Sequence, residues 1–163
     1  MISNYDIVGF SGSRSYSPFI LPLVLESVRD KQIFVGCAKG VDAMVRLYSV
    51  NNSVNLRVFK ASDYGKGKSS FARRSMAMVN EIKVSQGCLV SFPSSPCPSG
   101  LKPSPNTFNG KGSGTWATLA YAVFLNIPCF VYLDSLPIPQ GWGLSSSLSG
   151  WCCYSPVNQF SLI

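Results

Sequence analysis

From Trp116 to Leu133 the chain carries no charged side chain, a run long enough to cross a bilayer as one helix. Asn126-Ile127-Pro128 interrupts it. Proline cannot continue a helix, and it biases the residue before it towards extended backbone. The run therefore divides into a helix over Trp116–Leu125, apolar nearly all round, and a strand over Ile127–Leu133, apolar throughout. A helix without a polar face is largely buried. A strand without a polar face fits a parallel sheet covered on both sides.

The rest of the chain repeats this alternation. Tyr5–Phe10, Gln32–Val35, Val54–Phe59 and Cys88–Phe92 read as strands. Ser17-Pro18 signals a helix start, with serine as cap and proline in the first turn. Phe19, Ile20, Leu23, Val24 and Val28 follow at roughly helical spacing. Val41–Val50 reads as a second helix, with Val41, Met44, Val45 and Tyr48 on one face. A third runs from a cap at Ser69-Ser70 to about Ser85, with Gly87 in the C-terminal position. The order β-α-β-α-β-α-β-α-β predicts an α/β domain with a mainly parallel sheet of five or more strands and helices on both faces. The length predicts one domain over 1–163. Its core spans about 5–133, and 134–163 forms a C-terminal extension in which 150–155 can add a strand.

Between Pro93 and Gly112 five prolines, with several serines and glycines, exclude regular structure. A loop of that length inside a compact domain points to function or disorder.

The hydrophobic fraction of 46% and charged fraction of 13% exclude wholesale disorder. The formal net charge is +7, and beyond Lys111 the only charged side chain is Asp134. Lys60, Lys66, Lys68, Arg73 and Arg74 cluster, which favours anionic partners; a basic surface without a partner is the plainer alternative. The chain has no histidine, and its six cysteines form no Cys-x-x-Cys. No metal site and no cofactor is expected, and the cysteines read as small buried apolar groups. The first residues lack the basic-then-apolar pattern of a signal peptide. The expectation is a cytoplasmic protein without membrane contact.

In parallel sheets of this kind, ligands bind beyond the carboxyl ends of the strands. Three glycine-containing loops belong on that edge: Gly12-Ser13-Arg14, Gly36-Cys37-Ala38-Lys39-Gly40 and Gly112-Ser113-Gly114-Thr115. A helix amino terminus offers unpaired amides and partial positive charge, and glycines let an anion approach closely. The expected roles are a backbone cradle from the glycines, charge pairing from Arg14 and Lys39, and hydroxyl donation from Ser113 and Thr115, with Ser13 and Ala38 also in the site. Asp42 has three readings: a first-turn acid, a ribose contact, or a partner for Arg14. Arg74 is a secondary candidate. Each motif alone is an ordinary turn; their convergence is what suggests a pocket for a phosphate-bearing ligand.

Gly12-Ser13-Arg14, Gly36-x-Ala38-Lys39-Gly40-Val41-Asp42-Ala43, Phe71-x-x-Arg74 and Ser113-Gly114-Thr115, with Ala120 and Ala122 following, together resemble the SLOG superfamily. That group joins the core of DNA-processing protein A, the LOG nucleotide hydrolases and nucleotide-sensing domains. The resemblance covers about Tyr5–Leu133 and implies a Rossmann-like, doubly wound fold with a ligand site built by the three loops. It leaves three branches open. The hydrolase branch carries a glutamate after Gly-Thr, whereas Trp116-Ala117-Thr118 supplies no acid. No catalytic residue is therefore assigned; Asp42 and Glu81 are the remaining acids to weigh for phosphoribohydrolase chemistry. The DNA-processing branch implies single-stranded nucleic acid as partner, met by Lys66, Lys68, Arg73 and Arg74 with Tyr64 and Phe71 for stacking. The sensing branch implies a nucleotide-type small molecule, such as an ADP-ribose-type or cyclic nucleotide, bound without turnover. The long proline loop would serve it as a lid. The sensing or sequestering reading suits a small domain without catalytic acids best. The resemblance also implies a homo-oligomer, for which aromatic Trp142, Trp151, Tyr154 and Phe160 offer an interface or, equally, core.

Overall fold

A computed structural model describes residues 1–110 and 112–156. The elements, in chain order, are β1 (Ile7–Gly12), α1 (Leu21–Ser27), β2 (Gln32–Gly36), α2 (Val41–Asn51), β3 (Leu56–Phe59), α3 (Ser69–Val84), β4 (Cys88–Phe92), α4 (Gly114–Phe124), β5 (Cys129–Tyr132), β6 (Ser145–Ser146) and β7 (Trp151–Tyr154). The strands form one sheet in the order β3-β2-β1-β4-β5-β7-β6. The first five are parallel, whereas β7 runs antiparallel to β5 and β6 antiparallel to β7. The molecule is thus an α/β protein with a mixed, mostly parallel sheet. Among the described residues no helix is long and apolar enough to cross a membrane.

Strand alternation sorts the buried side chains into two clusters. Val8, Phe10, Ile33, Val35, Cys88, Val90 and Phe92 pack with residues of α1 and α2. Phe34, Leu89, Cys129 and Val131 pack with residues of α3 and α4. The α4 helix is buried over nearly its whole length, with Trp116 and Leu119 fully so, as its composition requires. Burial pushes the Cys88 thiol up to about 12 and the Cys152 thiol up to about 11, which fits their role as small apolar fillers.

Three helices hand the chain to the next strand through the same device. At the ends of α2, α3 and α4, Ser53, Gln86 and Asn126 take positive φ of 53°, 56° and 57°. The following amide returns to the third-last helical carbonyl: Val54 to Ser49, Gly87 to Ile82, Ile127 to Ala122. This is the Schellman arrangement, built here without glycine at the left-handed position. Gly87 was expected to fill that position, but Gln86 does. Gly87 is needed for space instead, because a Cβ there would lie 2.6 Å from the Ile7 carbonyl oxygen.

Other boundaries differ from the sequence reading in instructive ways. The α1 helix starts at Leu21, so Pro22 rather than Pro18 is its first-turn proline; Pro18 instead closes a turn, accepting from the Leu21 amide. Phe19 and Leu23 are exposed, while Leu21, Val24, Leu25 and Val28 carry the buried face. The Ser69-Ser70 cap is not made: Lys68 is the capping position, and the Ser70 hydroxyl donates to the Gly67 carbonyl. The expected parallel sheet gains two antiparallel strands from the chain beyond Asp134. That segment reaches the interior, since Trp142 and Cys152 join the α3–α4 cluster and Trp142 stands edge-on to Trp116 at 5.7 Å. Trp151 and Tyr154, both partly buried, also pack against the clusters. Phe160 lies outside the described residues.

The described residues of the 93–112 loop form no regular structure, as its prolines dictate, but the loop is fastened to α4. The Trp116 indole donates to the Ser95 carbonyl at 2.8 Å, and the buried Thr107 hydroxyl donates to the Ala117 carbonyl at 2.8 Å.

Candidate functional site

The β1 and β2 strands end in Gly12 and Gly36, and β4 ends at Phe92, so their exits open on one edge of the sheet. Gly12 sits opposite Phe92, and the Ser13 amide donates to the Phe92 carbonyl. On that edge lies a cavity of about 310 Å³, at the lower end of the ~300–1,000 Å³ typical of small-molecule pockets. Its walls include Gly12, Ser13 and Arg14 from the first loop, Gly36, Ala38 and Asp42 from the second, and Ser113, Gly114 and Thr115 from the third. Arg74 of α3 lines it as well.

Lys39, Gly40 and Gly112 do not line the cavity. Lys39 is exposed, because the loop turns its neighbour Ala38 inwards. Gly40 has φ 66°, and a Cβ there would lie 2.2 Å from the Ser13 carbonyl oxygen; its glycine lets the first two loops touch. Gly112 has φ 83° and makes room for Pro98. Lys111 lies outside the described residues.

The two helix amino termini on this edge differ. At α2 two amides of the entry already have partners inside the protein. The Ala38 amide donates to Asp42 Oδ2 at 3.1 Å and the Val41 amide to the Ser13 carbonyl at 3.2 Å. Part of the polar backbone of the second loop is thus taken up within the protein. Arg46 completes that closure, its Nη1 donating to the carbonyls of Gly36 and Ala38 at 2.9 Å each. At α4 the cap is Ser113, whose Oγ accepts from the Thr115 amide at 3.2 Å. Gly114 stands in the first turn, where a Cβ would meet nothing within 4 Å. First-turn amides lack intrahelical acceptors, so this terminus faces open space.

Arg74 is the group the sequence reading ranked too low. Its side chain is 9% exposed and pairs with the 7%-exposed Asp42 through Nη1 and Oδ2 at 3.3 Å. Asp42 therefore holds Arg74, not Arg14. Burial raises the Asp42 carboxyl above its ordinary range, opposed by the charge of Arg74 and by the bond from the Ala38 amide. Gly36 exists for the same guanidinium: a Cβ there would lie 1.5 Å from Arg74 Nη1. Arg74 Nε is buried and has no hydrogen-bond partner among the described residues. A buried donor left unsatisfied costs about 1–3 kcal/mol.

Arg14 reaches the same place from the opposite side. It is exposed, and its guanidinium lies 4.6 Å from the centroid of the Phe71 ring; Arg74 lies 5.9 Å from that centroid. Two cations thus lie against the ring. Phe71, expected from the sequence as a stacking residue, lines the cavity, and so do Ser11, Ser75, Phe108 and Thr118, which were not singled out beforehand. Phe71-x-x-Arg74 spaces its two side chains one helical turn apart, a signal that pointed to the ring and the guanidinium together. Nothing in the sequence marks Phe108, which comes from the proline loop. The basic surface splits as well: Lys66 and Lys68 are exposed outside the cavity, and Arg73 turns back to the Tyr64 carbonyl at 2.6 Å.

Asp42 is the sole carboxylate among the lining residues, and it is bound to Arg74. Glu81 lies on the far part of α3, paired with Arg57 at 3.4 Å. Among the described residues no second acid lines the cavity, whereas general acid–base cleavage of a glycosidic bond ordinarily uses a pair of carboxyl groups. No protein-family model, curated protein or solved structure matches this chain.

Proposed function

We propose that this cavity binds a nucleotide or nucleotide-derived anion and holds it without chemical change, as a sensing or sequestering module. The single observation that carries the reading is Arg74: a nearly buried guanidinium with an unpaired Nε, lining a cavity that also receives the open amino terminus of α4. Asp42 neutralises one side of Arg74, and a phosphate oxygen supplies the remaining acceptor. Charge-assisted hydrogen bonds of this kind are about twice as strong as neutral ones. Arg14 adds a second cation from the exposed rim, and Ser113 and Thr115 add hydroxyls. The same reading takes the sheet as Rossmann-like and doubly wound, with α1 and α2 on one face and α3 and α4 on the other. Alternate residues of β4 falling in the two side-chain clusters support this, as does a cavity at the carboxyl edge.

The test is a thermal-shift screen of the full chain with nucleoside monophosphates, ADP-ribose, cyclic dinucleotides and short single-stranded DNA, followed by chromatography of each mixture. A melting shift with the nucleotide recovered intact is the expected outcome. Released free base establishes a hydrolase instead. A shift with DNA alone, lost as salt rises, moves the function to nucleic-acid binding.

A further inference from the structure

A second hollow of about 360 Å³ adjoins the first. The two share Ala72, Phe108, Ser113 and Gly114 as lining residues. The second extends away from the arginines, over the amino-terminal turn of α3, where Lys68 and Ser69 form its far wall. Phe108 stands between the two and is itself propped edge-on by Tyr121 at 6.4 Å. Thr107, beside it, is pinned to α4 through the Ala117 carbonyl. The partition is therefore held by the fold and is not a loosely placed side chain.

Resting on the nucleotide reading of the first cavity, we infer that the second hollow is a subsite for the second half of the same ligand. The ligand class is then two nucleotide-like units joined through phosphate, rather than a lone nucleoside monophosphate. Three observations converge on this. Each hollow taken alone lies at the lower end of the ~300–1,000 Å³ range, room for one nucleotide-sized unit. The boundary between them passes Ser113 and Gly114, the capped amino end of α4, where a bridging phosphate would meet the partial positive charge of the helix. Cations stand at both ends of the joined space, Arg14 and Arg74 in one hollow and Lys68 in the other, which suits an anion longer than one phosphate.

Lys68 and Ser69 are exposed and line the second hollow without lining the first. Substituting them separates the two subsites with little risk to folding. The experiment is calorimetric titration of the full chain, and of the Ser69→Trp and Lys68→Glu variants, with the common ribonucleoside monophosphates and with their pyrophosphate-linked dimers. For the unaltered chain, a dimer is expected to bind at least about tenfold more tightly than its monophosphate. Ser69→Trp, which fills the hollow, and Lys68→Glu, which reverses its charge, are each expected to abolish that advantage and leave monophosphate affinity unchanged. Monophosphate binding with no gain for any dimer overturns the second subsite and leaves the first intact. A dimer advantage that survives both variants also overturns it. Failure of every probe to bind overturns the nucleotide reading of the first cavity, and this inference with it.

Discussion

The second glycine loop and the proline-rich loop both border the cavity, yet they are held in opposite ways. Residues 36–42 are closed from within: Arg46 spans two carbonyls, Asp42 takes the Ala38 amide, and Ser13 takes the Val41 amide. Residues 93–112 are fastened mainly from α4, with Trp116 and Thr107 as the fixed points. The first is a wall held largely by its own polar groups. The second brings Phe108 to the cavity and leads into the amino end of α4. Glycine-rich sequence alone does not distinguish a loop that binds from a loop that packs. The fate of its amides does.

The comparison breaks most sharply at the buried ion pair. Replacing Asp42 with Ala leaves the Arg74 guanidinium buried and uncompensated, a loss expected to cost about 3–5 kcal/mol. Urea denaturation of the variant measures it. A loss under about 1 kcal/mol would mean that Arg74 escapes to solvent and that the wall is not rigid.

Removing the clamp comes next. Arg46→Met keeps the stem of the side chain but deletes both bonds to the Gly36 and Ala38 carbonyls, and is expected to cost about 2 kcal/mol. Hydrogen exchange at residues 36–42 should accelerate more than exchange in the 93–112 loop. Equal acceleration in both would erase the distinction drawn here.

The proline loop gives the smaller response. Thr107→Val removes one buried hydrogen bond at nearly constant volume, for an expected loss of about 1 kcal/mol. Limited proteolysis should then cut between 93 and 112 sooner while the second loop stays protected.

The same pair predicts a pH signature. A carboxyl raised on folding binds its proton more tightly in the folded state, so its contribution to stability is complete below its ordinary pKa of 3.8 and is lost as pH rises through the raised value. The stability of the unaltered chain relative to Asp42→Asn should therefore fall with rising pH across the window just above 3.8. A relative stability that rises instead would mean that Arg74 dominates and lowers the carboxyl.

Much of this was legible beforehand, and the exceptions have physical reasons. The helix–strand division at Pro128 and the burial of α4 follow from apolar pattern and from the constraint proline places on its neighbours. The convergence of the three loops follows from the alternation of elements. The start of α1 was misread because Ser17-Pro18 and Pro22 are both valid start signals, and only packing of Leu21 and Leu25 decides between them. Lys39 looked like a ligand group because charge is visible in sequence and orientation is not. Arg74 was undervalued because a buried arginine on a helix is unusual without a partner. Its partner Asp42 is 32 residues away, a separation that no local pattern encodes. The antiparallel strand β7 was only partly visible, since Trp151–Tyr154 is a short apolar run without the spacing of a βαβ unit.

The central claim is that the cavity holds a nucleotide anion between the buried Arg74 and the exposed Arg14. The Arg14→Ala variant tests it most directly, because Arg14 stacks on Phe71 at the surface and makes no hydrogen bond among those described that would support the fold. Calorimetric titration with the nucleotide that gives the largest thermal shift, alongside the melting temperature of the empty protein, reads both properties at once. The account predicts roughly tenfold weaker binding, about 1.4 kcal/mol, with the empty protein's melting temperature unchanged. Undiminished affinity in the variant would contradict the account and place the ligand elsewhere.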